Sequence, residues 1–310
     1  MYADRIDKLF SEQLIEWELA KVNYHHLEKV KTKRLDFGEF EILVQFNPER
    51  MRSSVAKVDA KSIEARPCFL CRKNRPIQQR GVPFEDNLTV LVNPFPIFRR
   101  HLTIPSEKHV NQLINPNFKS MLSIAEALPS YVVFYNGPQC GASAPDHFHF
   151  QAGNRGFLPV ENDFSRGNCT RLVSAKQGTE IWQWYGYHRG IITIRGTDKE
   201  KLCTIFNRFF DLFSVVQKDR PEPMLNILAY HTAEGLVIHL IPRKLHRPCQ
   251  FFADGTGQIL LSPASVDLGG VIITPREEDF LKINVSDIKD IFSQVCFDEN
   301  ELTRYVGELL

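Results

Sequence analysis

Several features are missing from this sequence of 310 residues, and each absence narrows what the chain can be. No apolar run approaches the ~20 residues a helix needs to cross a bilayer, so no membrane association is expected. Neither sign of charge is in excess: 38 Lys and Arg face 37 Asp and Glu, for a formal net charge of +1. Proteins that grip nucleic acid carry a broad positive field, so no nucleic-acid partner is expected. The N-terminal stretch MYADRIDKLFSEQLIEWELAK lacks the apolar centre and small-residue cleavage site of a secretory leader. A cytoplasmic location is therefore expected. A disulfide framework is also absent, because the 7 cysteines are odd in number and mostly dispersed. Cys140, Cys169, Cys203, Cys249 and Cys296 stand singly and read as free thiols. No repeat of residue identity is visible.

What is present is the composition of a soluble globular protein, 43% hydrophobic and 24% charged, enough for one large domain or two ordinary ones. Residues 3–22 space Ile6, Leu9, Phe10, Leu14, Ile15 and Trp17 as a helix does. Strands are expected over 40–46, 87–93, 101–105 and 131–136, with 109–128 mostly helical around Asn115-Pro116-Asn117. The polar, glycine-rich stretch 153–168 marks a boundary between two halves, 1–160 and 161–310. In the second half, strands are expected over 190–196, 224–230, 236–242 and 270–275. An amphipathic helix covers 199–217, and the chain is helical from Glu277. Each half thus runs strands, helix, strand, strand. Short turns favour antiparallel pairing, so the expected fold class is α+β with flanking helices.

The segment GASAPDHFHFQAG, residues 141–153, alternates polar and aromatic side chains. On a strand, His147, His149 and Gln151 share one face while Phe148 and Phe150 enter a core. An ordinary half-exposed strand shows the same alternation. Upstream, Cys68-Phe-Leu-Cys71 sits among turn residues and can offer two thiolates to one metal, with two imidazoles completing a tetrahedral site. The pair could instead be a redox dithiol, although no helix follows it. Histidines flank the expected strand at His101 and His109. The backbone N–H groups of NGPQCGAS, 136–143, suit a phosphate cradle. Arg99, Arg100, Arg243 and Lys244 could add positive charge, or could be ordinary solvated surface. His25 and His26 read as surface, and His101, His231 and His239 as packed, hydrogen-bonded or edge residues.

The order strand, NPFPIFRRHLTIPSEKH, helix, strand, HFHFQ resembles the histidine-triad (HIT-like) superfamily. Within it, His-x-His-x-Gln is the mark of the nucleotidyltransferase branch, which includes galactose-1-phosphate uridylyltransferase, diadenosine tetraphosphate phosphorylase and GDP-L-galactose phosphorylase. FYNGPQCGASAPDHFHFQ is similar to the uridylyltransferase motif, while YHTAEGLVIHLIPRK and SPASVDLGGVIITPREEDFLKI are similar in layout to the C-terminal parts of the two phosphorylases. The resemblance spans roughly residues 60–285.

It implies two tandem half-units of antiparallel sheet, the first carrying the metal and catalytic motifs and the second completing the pocket. His149 would be the nucleophile, and Gln151 would hydrogen-bond the phosphoryl group. Zinc would sit on Cys68, Cys71, His109 and His147. Asn93, Asn136 and Ser143 would contact the nucleotide. Pro145-Asp146 departs from the family pattern, and Ser143 is displaced by one position. The implied reaction moves a nucleoside monophosphate from a nucleotide sugar or dinucleoside polyphosphate to phosphate or a sugar phosphate, through a nucleotidyl-histidine. Glutamine suits such an exchange rather than hydrolysis, because an amide has no titratable proton to give a leaving group. A nucleotide-binding sensor and a zinc-stabilised interaction domain are the alternatives. Two halves in one chain are compatible with a monomer or a homodimer.

Overall fold

A computed structural model describes residues 2–51, 60–85 and 87–309. Strands β1 (Lys31–Asp36) and β2 (Glu41–Phe46) form a hairpin beside the later β13 (Val271–Thr274). The first half continues with β3 (Gly81–Phe84), β4 (Leu88–Val92), β5 (His101–Pro105), β6 (Tyr131–Asn136) and β7 (His149–Asn154). The second holds β8 (Thr170–Lys176), β9 (Thr179–Trp184), β10 (Ile192–Gly196), β11 (Leu225–Thr232) and β12 (Gly235–Pro242). These last ten strands make one sheet in the order β3-β4-β5-β7-β6-β11-β12-β10-β9-β8. Read inward from the two ends, the halves repeat one local order: β4-β5-β7-β6 and β9-β10-β12-β11. They join where β6 pairs antiparallel with β11. The duplication suggested by element order is therefore present in the topology.

Helices Phe118–Ala127 and Lys199–Val216 follow β5 and β10 at equivalent places. They pack together through Phe118 and Phe206, whose rings stack with centroids 3.7 Å apart. Asp198 caps the longer helix by accepting from the backbone of Glu200 and Lys201. Alternation along the strands then assigns two faces. Val133, Tyr135, Phe148, Phe150, Ile227 and Ile238 belong to the core shared with these helices. Val132, Phe134, Leu228 and Val237 face the other way, toward the three-stranded sheet and helix Val285–Val295. That second side also carries the site.

Several local expectations change. The helix over 3–22 is two, Tyr2–Glu16 and Glu18–Leu27. Trp17 between them is extended (φ −112°, ψ 97°) so that its ring can be buried. Residues 109–114 are not helical; a 3-10 turn at Asn115–Asn117 leads into the helix instead. His147 lies just before β7 rather than on it. The stretch 153–168 contains the end of β7 and the helix Pro159–Arg166, which Gly167 stops at φ 76°. Strands β1, β3, β8 and β9 have no counterpart in the sequence reading. β1 and β8 are edges with mostly exposed polar residues, so hydrophobic alternation is weak. The β8–β9 turn had a usable signal: Gln177 and Gly178 both take positive φ (50° and 77°), as a two-residue hairpin requires.

Residues 109–114 are tied to β6 by Glu222, which is 5% exposed. Its carboxyl accepts from the Tyr135 hydroxyl at 2.5 Å and from the Ile114 N–H at 2.8 Å. Burial outweighs both bonds and pushes the carboxyl up from 4.5 to about 7. Folding thus favours the protonated form. Its contribution is complete below pH 4.5 and is lost as pH rises through about 7. Glu222→Gln should match the parent near pH 4 and exceed it by up to about 3 kcal/mol at pH 8. Urea denaturation at both pH values checks this; an equal difference at the two would contradict it.

Candidate active site

Strand β7 delivers His149 and Gln151 to the wall of a cavity of about 840 Å³, which Asn93, Asn136 and Ser143 also line. His149 is 4% exposed, and Phe148 and Phe150 on the opposite face are fully buried. The His149 Nδ1 lies 2.9 Å from the carbonyl oxygen of His147. A carbonyl only accepts, so Nδ1 carries the proton and Nε2 keeps its lone pair. Burial pulls this imidazole down to about 4, which leaves it neutral at neutral pH.

The backbone of His149 is held by a residue that sequence reasoning missed. Gln112 is fully buried. Its Oε1 accepts from the His149 N–H at 2.7 Å, and its Nε2 donates to the carbonyls of His149 and Asn136 at 2.9 and 3.0 Å. The β6–β7 ladder runs from Tyr131 opposite Asn154 to Phe134 opposite Gln151, and stops there. The Gln112 amide fills the gap where the strands diverge, supplying the bonds a neighbouring strand would make.

A second buried network orients Asn136. Its Oδ1 accepts from Asn226 Nδ2 and from the Ser265 N–H, both at 2.9 Å. The Asn226 Oδ1 accepts from Arg243 Nη1 at 2.7 Å. A guanidinium can only donate, so it sets the Asn226 amide, and Asn226 sets Asn136 with its N–H2 turned away from the network. Arg243 is thus no phosphate ligand. It is fully buried and donates to the carbonyls of Val295, Pro263, Leu245 and His246. The other basic candidates also lie elsewhere: Arg99 is exposed, Arg100 pairs with Asp7, and Lys244 pairs with Glu301. Arg50, Arg66 and Arg247 line the cavity in their place. Beside Asn136 the turn passes close to the second half: a Cβ on Gly141, at φ +95°, would lie 2.5 Å from that of Ala264. Among the other histidines, His239 is packed, with Nδ1 2.7 Å from the Thr193 hydroxyl and Nε2 3.2 Å from that of Tyr230. His25 and His26 are on the surface beside Glu28 and Glu49.

Behind the cavity wall, Cys68, Cys71, His109 and His147 bring one ligand atom each within 4.8 Å of one another. Cys68 Sγ is 3.3 Å and Cys71 Sγ 3.6 Å from His147 Nδ1, and Cys71 Sγ is 3.2 Å from His109 Nδ1. The His147 Nε2 donates to the Ser106 carbonyl at 2.8 Å, which leaves Nδ1 free to ligate. The His109 Nε2 faces Asp146 at 3.6 Å, and Asp146 in turn pairs with Arg66 at 2.7 Å. Burial pushes the Cys68 thiol up, but the His147 hydrogen bond and the N–H groups of Leu70 and Cys71 bring it down to about 6. Two sulfurs and two nitrogens at these separations can hold a metal ion. No long helix starts at Cys71, only the 3-10 turn Arg72–Asn74, so the setting is not that of a helix-activated redox pair.

Two family models match the chain. Residues 9–154 match one described as "Domain of unknown function (DUF4922)", and residues 164–309 match "GDPGP1-like, C-terminal domain". A curated relative, galactose-1-phosphate uridylyltransferase of Halalkalibacterium halodurans, is 26% identical over 188 residues. That match covers 54% of this chain but only 35% of the relative, about a third of its length. Among solved structures, yeast Ap4A phosphorylase is similar over 90% of this chain and 94% of its own, with a TM-score of 0.58 and 17% identity. The same yeast protein in complex with AMP is similar over 92% and 97%, with a TM-score of 0.59 and 15% identity. No described helix is long and apolar enough to cross a membrane. The fold is therefore the HIT-like one, and in both sequence and architecture the chain resembles the nucleotidyltransferase branch of the histidine-triad superfamily.

Proposed function

We propose that the protein is a nucleotidyltransferase or nucleotide phosphorylase that works through a nucleotidyl-His149 intermediate. The observation that carries this reading is the His149 ring: Nδ1–H bound to the His147 carbonyl, Nε2 bare, on the wall of a cavity of about 840 Å³. In the first step the Nε2 lone pair attacks the α-phosphorus of a nucleotide sugar or dinucleoside polyphosphate. The bond from that phosphorus to its bridging oxygen breaks, and the leaving group departs as a phosphate ester. In the second, an oxygen of phosphate or a sugar phosphate attacks the same phosphorus, and the P–N bond electrons return to Nε2. The Nδ1 proton stays on the ring throughout, where the His147 carbonyl stabilises the positive charge that forms. Gln151 and Asn136 offer N–H donors to the phosphoryl oxygens. Arg50, Arg66 and Arg247 supply positive charge around the cavity.

In this reading residues 1–160 supply the nucleophile and the metal site, and residues 161–310 complete the pocket with His246, Arg247 and Ala264. The metal is zinc. Zn–S and Zn–N bonds of ordinary length put sulfur and nitrogen about 3.5 Å apart in a tetrahedron. Cys68, Cys71, His109 and His147 would close the site with four protein ligands, and the metal would supply rigidity at His147, the residue whose carbonyl holds His149.

Incubation with a panel of nucleoside diphosphate sugars and dinucleoside polyphosphates tests the proposal. Intact-protein mass spectrometry should show one added nucleoside monophosphate, and its mass names the base. Nucleotide binding without any adduct would make the protein a sensor; no nucleotide affinity would make it an interaction domain.

A further inference from the structure

His101 is fully buried at the start of β5, with its ring edge-on to Phe98 at 5.3 Å. Both ring nitrogens have partners. Nδ1 lies 3.2 Å from the backbone nitrogen of Ile97, whose N–H can only donate, so Nδ1 is an acceptor. Burial pulls the imidazole down to about 3, so the ring is neutral and its one proton sits on Nε2. Nε2 is 3.0 Å from Gln151 Oε1. A ring N–H there requires an acceptor opposite, which makes the facing atom of Gln151 its oxygen. Asn93 points the same way. Its Oδ1 accepts from the Phe95 N–H at 2.9 Å, which fixes its amide, and its Nδ2 approaches Gln151 Oε1 at 3.5 Å. A flipped Gln151 would set its N–H2 group against two donors, the His101 Nε2–H and the Asn93 N–H2.

We propose that His101 is a positioning residue: by occupying the oxygen of Gln151 it aims the Gln151 N–H2 group into the cavity beside His149. The amide then reaches the transferring phosphoryl group as a donor without having to reorient. A free-rotating glutamine would present oxygen for part of the time and repel the phosphoryl oxygens. This inference rests on the nucleotidyl-histidine reading and assigns a role to a residue outside the motif.

Two substitutions separate the two bonds of the ring. His101→Asn keeps an acceptor for Ile97 but is too short to reach Gln151. His101→Gln restores a donor at the Nε2 position and gives up the Ile97 bond. Single-turnover adduct formation should slow about tenfold or more in His101→Asn, with nucleotide Kd changed less than about threefold. His101→Gln should recover to within about threefold of the parent. In a Gln151→Ala background neither change should matter, because the residue being aimed is gone. An unaffected His101→Asn, or equal slowing in the Gln151→Ala background, overturns the proposal. In the parent protein, 15N NMR of the ring should find the Nε2–H tautomer, and the Nδ1–H tautomer overturns the proposal even if the variants do not fold. A parent that forms no adduct with any nucleotide overturns the functional reading and this role together; a parent that does form one leaves His101 to be judged alone.

Discussion

His149→Ala should abolish the nucleotidyl adduct and lower turnover by at least about 1,000-fold, while nucleotide still binds. The loss is large because the Nε2 lone pair that attacks phosphorus goes with the ring. The other imidazole of the motif, His147, cannot substitute: its Nε2 is on the Ser106 carbonyl and its Nδ1 is turned to the two cysteines. It is not among the cavity-lining residues. Binding should survive because the strand itself is not held by the His149 ring. β7 pairs with β5 from His101 opposite Gly153 to Pro105 opposite His149, and Gln112 bonds only the backbone of His149. Intact mass after nucleotide exposure, with calorimetric binding alongside, checks both halves of the expectation. A full adduct on the alanine variant would place the covalent chemistry on another residue.

The second large effect concerns the four-ligand cluster. Cys68→Ser with Cys71→Ser should remove about one equivalent of zinc per chain and destabilise the segment around it by at least about 3 kcal/mol. Beside the cluster, that segment is held by the Arg66–Asp146 pair and by bonds from the Asn74 and Arg75 side chains to its own backbone, with little apolar packing. Its apolar contacts form a small satellite cluster of Cys68, Leu70 and Ala144, with Cys71 packed against it. A local region with so few contacts opens on its own once its tether goes. The damage should travel to His149 by a short route. Released from the cluster, His147 no longer holds its backbone carbonyl against the His149 Nδ1, a distance of 2.9 Å now. Elemental analysis gives the metal content. Hydrogen exchange over 66–75 and 107–113 should accelerate in the variant while the helix Lys199–Val216 stays protected. A parent protein that is purified without metal and keeps full protection would refute the role.

The motifs were readable because each is a local pattern. Alternation over 148–151 separates two faces whatever surrounds it, so Phe148 and Phe150 enter the core while His149 and Gln151 face the cavity; His147, off the strand, turns to the cysteines instead. Cys68-Phe-Leu-Cys71 closes on itself through the Cys71 N–H to Cys68 carbonyl bond, a turn that needs no distant partner. The repeated order of elements foretold the paired half-sheets, since short turns between strands leave few other ways to close an antiparallel sheet. Strand β1 was missed for the converse reason: an exposed, charged edge strand is defined by pairing with β2, not by its own hydrophobicity.

Composition and periodicity pointed to an α+β fold of antiparallel sheet with flanking helices, and a few spaced histidines, cysteines and one glutamine marked where a site lies; the chemistry expected there came from the family those motifs resemble. Tertiary structure alone decided which basic residues reach the cavity, which nitrogen of each imidazole carries the proton, and which way each amide turns. Those choices depend on donors and acceptors brought in from far along the chain. Arg243 acts on Asn136 through Asn226, Gln112 on His149, and His101 on Gln151. Hydrogen bonding is directional and short in range, so the partner's position, and not merely its presence in the sequence, settles the outcome.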